Sequence, residues 1–176
     1  YDSLLPIVIS TQKIAEECFV NCVLLTGANG FVGVHLLSEL LAQTNAHIYC
    51  LIRGVHALDK LHVSLKKYDL DFSQISARIT VLSADLSQEY FGLNEEIYKK
   101  LCEEVEVVYH NAAWVNHVLD YSTLREINVI GTQRLLNFSG TGQLKKFNYV
   151  STLSAASYIK DGFILEEGPS EVPPVS

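Results

Sequence analysis

Short runs of consecutive apolar residues recur along the chain. They occupy positions 22–26, 47–52, 79–82, 105–109 and 147–150. Continuous runs of this length are typical of strands buried on both faces, as in parallel sheets that carry helices on either side. We therefore predict a buried strand at each of these positions.

Leucines at helical spacing follow the first two runs. They are Leu36, Leu37, Leu40 and Leu41 after the first run, and Leu58, Leu61 and Leu65 after the second. Apolar residues that recur three and four positions apart form one face of a helix. The spacing therefore predicts one helix after each of these two strands.

A further helix is predicted before the last strand, from about Leu124 to Phe138. Thr123 and Glu126 have the spacing of a capping box, which marks a helix start. Gly131 lies inside this helix and costs about 1 kcal/mol in helix propensity relative to alanine. We therefore expect Gly131 to pack closely against a neighbouring element.

The resulting order is strand, helix, strand, helix, strand, strand, helix, strand. Parallel strands need crossover connections, and helical crossovers cover both faces of the sheet. This order predicts an α/β protein with a doubly wound, Rossmann-like parallel sheet. We expect this domain to occupy residues 21–160, with a linker or docking segment over 1–20. Residues 161–176 lack periodicity and are predicted to form a loop.

Composition narrows the classes of function. The 176 residues are 48% apolar, which is enough to bury a core, and the formal net charge is −7 without any basic run. That charge argues against a nucleic-acid partner. No apolar run approaches the roughly 20 residues that span a bilayer, and the first residues lack a signal pattern. We therefore expect a cytoplasmic protein without a membrane partner.

The cysteines give no sign of a metal or redox site. Cys18, Cys22, Cys50 and Cys102 are scattered without the C-x-x-C spacing. Two of them, Cys22 and Cys50, lie in or beside the predicted strands. We interpret the cysteines as small buried hydrophobic residues and expect no metal.

The stretch T-G-A-N-G-F-V-G at 26–33 follows the first predicted strand and opens the first predicted helix. In such a turn one glycine permits the tight bend, the next lets the backbone approach a pyrophosphate, and the third lets the helix pack on the strand. The N–H groups and dipole of the helix N-terminus favour bound phosphate. We therefore predict a dinucleotide site; the alternative is a glycine turn used only for packing.

The end of the second predicted strand indicates which nicotinamide cofactor binds. NAD-binding proteins place an acidic residue about 20 positions after the glycines, where it holds the ribose 2′-hydroxyl. This chain has Arg53 there, in C-L-I-R-G. A guanidinium can bind a 2′-phosphate through two hydrogen bonds, so the sequence favours NADP(H). The alternative is a solvated arginine at a strand end.

Several stretches together resemble the thioester-reductase branch of the extended short-chain dehydrogenases/reductases. They are VLLTGANGFVGVHLLSELL, LIRG, ADLSQEYFGL, HNAAWVNHVLDYSTLREINVIGTQRLL and KKFNYVSTLSA, and the resemblance covers about residues 20 to 156. That branch includes terminal reductase domains of nonribosomal peptide and polyketide synthases, carboxylic acid reductases and aminoadipate reductases. The resemblance implies that NADPH reduces an acyl or peptidyl thioester, held on the phosphopantetheine arm of a carrier protein, to an aldehyde or further to an alcohol.

The resemblance also implies a set of cofactor-binding residues. Asp85 follows the third strand, where similar proteins contact the adenine amino group, although it could instead cap the following turn. His110 and His117 lack ligand spacing and a carboxylate partner, and we interpret them as structural or surface residues. The expected cofactor-binding set is Thr26, Gly27, Asn29, Gly30, Phe31, Val32, Gly33, Arg53, Asp85, Leu86, Asn111, Ala112 and Ala113.

The implied chemistry needs hydrogen-bond donors at the carbonyl oxygen, where negative charge develops, and a source of protons. By resemblance, Thr152 in Y-V-S-T-L-S-A supplies the catalytic hydroxyl, with Ser151 as the less favoured choice. Asn128 in N-V-I-G-T matches the asparagine that supports a catalytic lysine and a proton-relay water. The alternatives are an ordinary strand-end hydroxyl and a helix-packing asparagine.

The Tyr-x-x-x-Lys pair of this branch is not found in the sequence. Tyr121 has Arg125 four residues on but precedes the last strand, and Tyr158 and Lys160 are too close together to share a helix face. We expect the pair and a substrate-binding domain beyond residue 176, so that this chain is the cofactor-binding part of a larger multidomain reductase. A nucleotide-sugar epimerase or dehydratase and a non-catalytic NADP-binding module stay open as alternatives.

Overall fold

A computed structural model of the chain describes residues 20–70, 76–116 and 118–152. Within these ranges the chain forms a five-stranded parallel sheet in the order β3-β2-β1-β4-β5. The strands are β1 (Cys22–Thr26), β2 (His47–Ile52), β3 (Ile79–Ser83), β4 (Val107–His110) and β5 (Lys146–Tyr149). The predicted parallel α/β sheet is confirmed.

Helices cover both faces of the sheet. They are α1 (Phe31–Gln43), α2 (Ala57–Lys67), α3 (Glu95–Glu104), α4 (Tyr121–Arg125) and α5 (Gly131–Ser139), with a π-helical turn at Glu126–Ile130 between the last two. Short 3₁₀ turns lie at Ser76–Arg78 and Glu89–Gly92. One core joins Val23 and Leu25 of β1 to α1 and α2, and the other joins Cys22 and Leu24 to α3 and α5.

The strand positions follow the apolar pattern closely. The bounds of β1 and β2 are those predicted, β3 is one residue longer, and β5 lies one residue earlier. β4 begins two residues later than predicted. Val105 is buried like a strand residue, but its N–H donates to the carbonyl of Leu101 and so closes α3.

The predicted order was wrong in omitting α3. This helix is capped by Asn94, whose side chain accepts a hydrogen bond of 2.7 Å from the Glu96 N–H. Its apolar stripe is narrow, with Leu101 and Cys102 as its buried residues. The chain must pass from β3 at one edge to β4 beyond β1, and α3 provides this crossover.

The start of the helix after β4 also differs from the prediction. Asp120 is the cap, because its carboxylate accepts the Thr123 N–H at 3.0 Å, so that Thr123 lies inside the first turn. Hydrogen bonds from the side chain and the N–H of Thr123, together with one from the Ser122 hydroxyl, hold the pKa of Asp120 below its usual value. The close packing predicted for Gly131 is confirmed: a Cβ there would lie 3.0 Å from the Leu86 side chain.

The described cysteines are packing residues, as predicted. Cys22, Cys50 and Cys102 are buried free thiols, and burial raises the pKa of Cys22 and of Cys50 to about 12. Cys18 lies outside the described residues. In the described ranges, no group of acidic, histidine or cysteine side chains could hold a metal ion, and no helix is long and apolar enough to cross a membrane.

A buried polar chain joins β1, β4 and α5 at the carboxyl edge of the sheet. Thr26 and His110 are paired neighbours in the β1–β4 register, and the Thr26 hydroxyl lies 2.8 Å from His110 Nδ1. His110 Nε2 lies 2.9 Å from the hydroxyl of Thr132 on α5. His110 is 1% exposed. The interpretation of His110 as a structural residue is therefore confirmed, whereas His117 lies outside the described residues.

The partners of this chain fix which nitrogen of His110 carries the proton. Thr26 Oγ1 accepts the N–H groups of Asn111 and Ala112, at 3.1 and 3.0 Å, so its own proton points to Nδ1. Thr132 donates its proton to the Asn128 carbonyl at 2.7 Å, so it accepts from Nε2–H. We infer a neutral ring protonated on Nε2. Burial agrees with this, since it lowers the pKa of His110 from 6.5 to about 4.

Because the folded-state pKa of His110 lies below its unfolded value, the unfolded chain binds more protons between pH 6.5 and about pH 4. As the pH falls through this window, the unfolding free energy should decrease by up to about 3 kcal/mol because of His110. Chemical denaturation at several pH values should show the wild type losing stability faster than His110→Gln. Parallel pH profiles, or a His110 ring that titrates near 6.5 by NMR, would contradict the neutral buried ring.

Candidate functional site

The candidate site lies where the strand order reverses. The chain runs outward from β1 through β2 to β3, and then returns to place β4 on the other side of β1. In doubly wound sheets ligands bind at the carboxyl ends of the strands at this switch point. A cavity of about 410 Å³ occurs there. Its lining residues are Thr26, Gly27, Asn29, Gly30, Leu51, Arg53, Lys60, Ala84, Asp85, Leu86, Asn111, Ala112, Ala113, Trp114 and Ile127.

The three glycines of the turn have different physical roles. Gly27 has a φ of +69°, and a Cβ there would lie 2.8 Å from the Ala112 nitrogen. A Cβ on Gly33 would lie 2.0 Å from the Gly27 carbonyl oxygen, so α1 can pack on the turn only without a side chain. Gly30 differs, since its Cβ would meet only the Gly27 oxygen, at 3.3 Å. Packing therefore requires Gly27 and Gly33 most strictly, whereas Gly30 is less tightly enclosed and lines the cavity.

The N-terminus of α1 is suited to bind an anion. The first hydrogen bond within the helix runs from the Val34 N–H to the Gly30 carbonyl at 3.0 Å, which leaves the earlier N–H groups without a helical partner. Gly30 provides no side-chain cap, and the first turn holds no acidic residue. Unused N–H groups and the positive end of the helix dipole thus meet at the bare glycine.

The opposite wall of the cavity is the segment after β4. The hydroxyl of Thr26 fixes the Asn111 and Ala112 N–H groups, and the Asn111 amide donates to the Gly27 carbonyl at 3.3 Å. Further along, the Asn128 side chain accepts the Trp114 N–H at 2.8 Å and donates to the Trp114 carbonyl at 3.0 Å. Side chains of two other elements therefore hold this wall in place.

Two cations lie at one end of the cavity. Arg53 follows β2, and the ammonium of Lys60 on α2 donates to the Arg53 carbonyl at 2.8 Å. Among the described residues, no carboxylate forms an ion pair with either side chain. Although the chain as a whole is acidic, this end of the cavity is basic.

Asp85 and Leu86 line the cavity on the side of β3. Asp85 Oδ1 accepts hydrogen bonds from the N–H and the hydroxyl of Ser87, at 2.9 and 2.6 Å, so the turn-capping alternative is observed. The Asp85 N–H donates to the Phe91 carbonyl at 2.8 Å, which fixes the position of this acidic residue. Asp85 therefore caps its turn and also borders the cavity.

The structure brings most of the expected cofactor-binding residues to this one cavity. Three members of the glycine stretch do not line it: Gly33 is buried beneath the turn, and the side chains of Phe31 and Val32 are exposed. Phe31 packs edge-on against His35 and Tyr68 instead. Their contribution to an anion site would be through backbone N–H groups.

The two expected catalytic residues are placed differently. Asn128 lies in the π-helical turn next to the cavity wall, with both polar atoms of its side chain bonded to Trp114. Thr152 is exposed, three residues after the end of β5, and is not among the lining residues. Neither residue lines the cavity; Asn128 contacts it through Trp114, which does.

Lys60 and Trp114 line the cavity, but they were not identified as site residues from the sequence. Lys60 resembles any surface lysine of an amphipathic helix, and only its position in the first turn of α2, directly after the strand that ends at Arg53, could have indicated it. Trp114 follows the N-A-A stretch directly and is the single tryptophan of the chain. A large aromatic residue at a predicted strand-end loop was the available signal.

Comparison with known proteins agrees with this geometry. The chain is 38% identical over 152 residues to one component of the linear gramicidin synthase of Brevibacillus parabrevis, covering 85% of this chain and 3% of that protein. It is 35% identical over 162 residues to the L-2-aminoadipate reductase large subunit of Eremothecium gossypii, covering 86% of this chain and 12% of that protein.

A solved structure shows the same fold. The terminal R domain from the myxalamid PKS-NRPS biosynthetic pathway superposes with a TM-score of 0.80 at 35% identity, covering 87% of this chain and 40% of that domain. The chain thus spans less than half the length of the relatives and of the solved domain that it matches. These similarities confirm the resemblance to the thioester-reductase branch.

A family profile described as Male sterility protein, an NAD-binding family, matches residues 25–171. The match includes the glycine turn, both cations and the segment after β4. The chain therefore belongs to this family.

Proposed function

We propose that the cavity binds NADP(H), with the pyrophosphate at the glycine turn. The observation that carries this proposal is that Gly30 lies exposed on the cavity lining, without a side chain, at the unused N–H groups of α1. A backbone without a side chain at this point lets two phosphates approach the amide groups closely. The fit of these residues to a dinucleotide supports the proposal.

The choice of NADP(H) over NAD(H) rests on Arg53 and Lys60. A 2′-phosphate carries close to two negative charges, and both cations lie at the end of the cavity next to β2. The Arg53 guanidinium can donate two parallel hydrogen bonds to phosphate, and Lys60 adds a compact charge. On the side of the cavity next to β3, we propose that the second carboxylate oxygen of Asp85 accepts a hydrogen bond from the adenine amino group.

We propose that the protein containing this chain reduces an acyl or peptidyl thioester, carried by a carrier protein, to an aldehyde or alcohol. When bound, the cofactor supplies the hydride. Thr152 would donate a hydrogen bond to the oxygen of the carbonyl as charge develops there. Asn128 would act as a positioning residue, because its side chain holds Trp114 and its carbonyl accepts from Thr132.

The partners follow from the same proposal. The curated relatives are much longer than this chain, so a multidomain protein and a carrier protein with a phosphopantetheine arm fit the proposed reaction. Free buried cysteines fit a reducing compartment, and we propose the cytoplasm. The alternative of a nucleotide-sugar epimerase or dehydratase shares the fold, but such enzymes commonly use NAD, whereas Arg53 favours NADP(H).

Replacing Arg53 tests the choice of cofactor. The wild-type chain should prefer NADPH to NADH by at least about tenfold, or roughly 1.4 kcal/mol, and Arg53→Ala should remove most of this preference. Isothermal titration calorimetry measures both affinities. Lys99→Ala is the matched control, since it removes an exposed cation of α3 that is not part of the cavity. Equal affinities of the wild type for both cofactors would refute the NADP assignment.

Replacing Gly30 tests the glycine turn. Gly30→Val should weaken NADPH binding by tenfold or more, because its side chain occupies the surface that the pyrophosphate needs. Its stability should fall less than that of Gly33→Ala, because a Cβ would lie 3.3 Å from the Gly27 oxygen at Gly30 but 2.0 Å from it at Gly33. By contrast, Gly33→Ala should destabilise the fold itself, because its Cβ overlaps the Gly27 carbonyl. Wild-type NADPH affinity in Gly30→Val would show that the turn serves packing alone.

Replacing Thr152 tests the chemistry, in the full-length product of the gene. Thr152→Val should slow NADPH oxidation with an acyl-carrier thioester by about tenfold or more, because one donor to the developing charge is lost. Ser151→Ala is the matched control and should have a smaller effect. The 176-residue chain alone should be nearly inert, since it lacks the Tyr-x-x-x-Lys pair that provides acid catalysis. Unchanged turnover in Thr152→Val would place the catalytic hydroxyl elsewhere, and a full-length protein without any turnover would favour a non-catalytic module.

A further inference from the structure

Arg53 and Trp114 contact each other across the cavity. They follow β2 and β4, which are separated by β1, so the two strands lie about 10 Å apart. The guanidinium carbon of Arg53 is nevertheless only 5.5 Å from the centroid of the Trp114 ring. The two side chains therefore bridge the walls of the cavity beside the glycine turn.

Trp114 is the fixed member of this pair. Both backbone polar groups of Trp114 are bonded to the Asn128 side chain, at 2.8 and 3.0 Å. Asn128 belongs to the π-helical turn that leads into α5, whose buried residues pack on the sheet. The indole is half-buried and lines the cavity. The backbone that carries the ring is thus attached to the π-helical turn.

Arg53 is the member whose side chain is exposed. Its guanidinium forms no ion pair or hydrogen bond with the described part of the chain. An arginine side chain loses rotamer entropy when a ligand orders it, and loses less if it is already held in place. A guanidinium stacked on an aromatic ring still presents its N–H groups at its edge, where a phosphate can accept them.

We propose that Trp114 is a specificity-determining residue for NADP(H): its ring holds the Arg53 guanidinium in place for the 2′-phosphate before the cofactor arrives. The proposal rests on the proposed binding of NADP(H) in this cavity. Trp114 acts through Arg53, so it contributes to the affinity for NADPH and not to that for NADH. An attraction between a cation and an exposed aromatic ring corresponds to about a two- to fivefold effect on affinity.

The test compares NADPH and NADH binding by calorimetry in four forms of the chain: the wild type, Trp114→Leu, Arg53→Ala and the double variant. Trp114→Leu should weaken NADPH binding two- to fivefold and leave NADH binding unchanged. In the Arg53→Ala background, Trp114→Leu should no longer change the preference. Trp114→Phe, which keeps an aromatic face, should retain most of it. Val115→Ala, a change at the exposed neighbouring residue, is the matched control.

The outcomes separate this inference from the proposed function. If the wild type shows no preference for NADPH, or Arg53→Ala does not reduce it, the NADP assignment itself is wrong. If Arg53→Ala removes the preference but Trp114→Leu keeps it, the role of Trp114 is refuted. An equal loss of affinity for NADPH and NADH in Trp114→Leu would show that Trp114 lines the cavity without determining specificity, which would also refute the proposal. Tighter NADPH binding in Trp114→Leu would show that the contact closes the site instead of preparing it.

A second measurement needs no variant and no nicotinamide. Because Trp114 is the single tryptophan, the tryptophan emission of the chain comes from this ring alone. Titration with 2′,5′-ADP should change the emission as the 2′-phosphate engages Arg53, whereas ADP, which lacks that phosphate, should change it much less. The same emission change with both nucleotides would overturn the proposal.

Discussion

The hydroxyl of Thr26 is the interaction on which the site depends. It accepts two N–H groups from the segment after β4 and donates to a buried neutral histidine, so its hydrogen-bonding capacity is fully used. If any of these partners is missing, a buried donor or acceptor is left without a hydrogen bond, and the folded state loses stability. It therefore fixes the segment after β4 against the turn after β1. This closeness is what forbids a side chain on Gly27.

The cavity acquires its chemical character from this arrangement. Since the two strand ends are held together, Gly30 at the N-terminus of α1 and the segment after β4 line the same cavity. The basic pair formed by Arg53 and Lys60 lies at one end of the cavity, and Asp85 borders it on the side of β3. Unused amide groups in the middle and cations at the end match a ligand with two separate groups of negative charge. The net charge of −7 gives no hint of this local basic character, because it sums over the whole chain.

Much of this could be predicted from the sequence, for physical reasons that differ between residues. β1 and β2 were placed correctly because strands buried on both faces leave continuous apolar runs, and the glycine turn because few other structures need glycines at that spacing. α3 was missed because a helix that buries few residues leaves a weak periodic signal. Thr123 was mistaken for the helix cap because a capping box is a local pattern, whereas Asp120 lies three residues upstream and caps equally well. Lys60 and the contact between Arg53 and Trp114 depend on how distant segments meet, and local patterns do not contain that information.

A crystal structure of the chain with bound NADP⁺ measures the proposed binding mode directly. We expect the pyrophosphate within hydrogen-bonding distance of the first N–H groups of α1, next to Gly30. The 2′-phosphate should lie between Arg53 and Lys60, with the Arg53 guanidinium still against the face of Trp114. A dinucleotide bound outside the cavity, or one whose 2′-phosphate touches neither cation, would contradict the assignment of this cavity as an NADP(H) site.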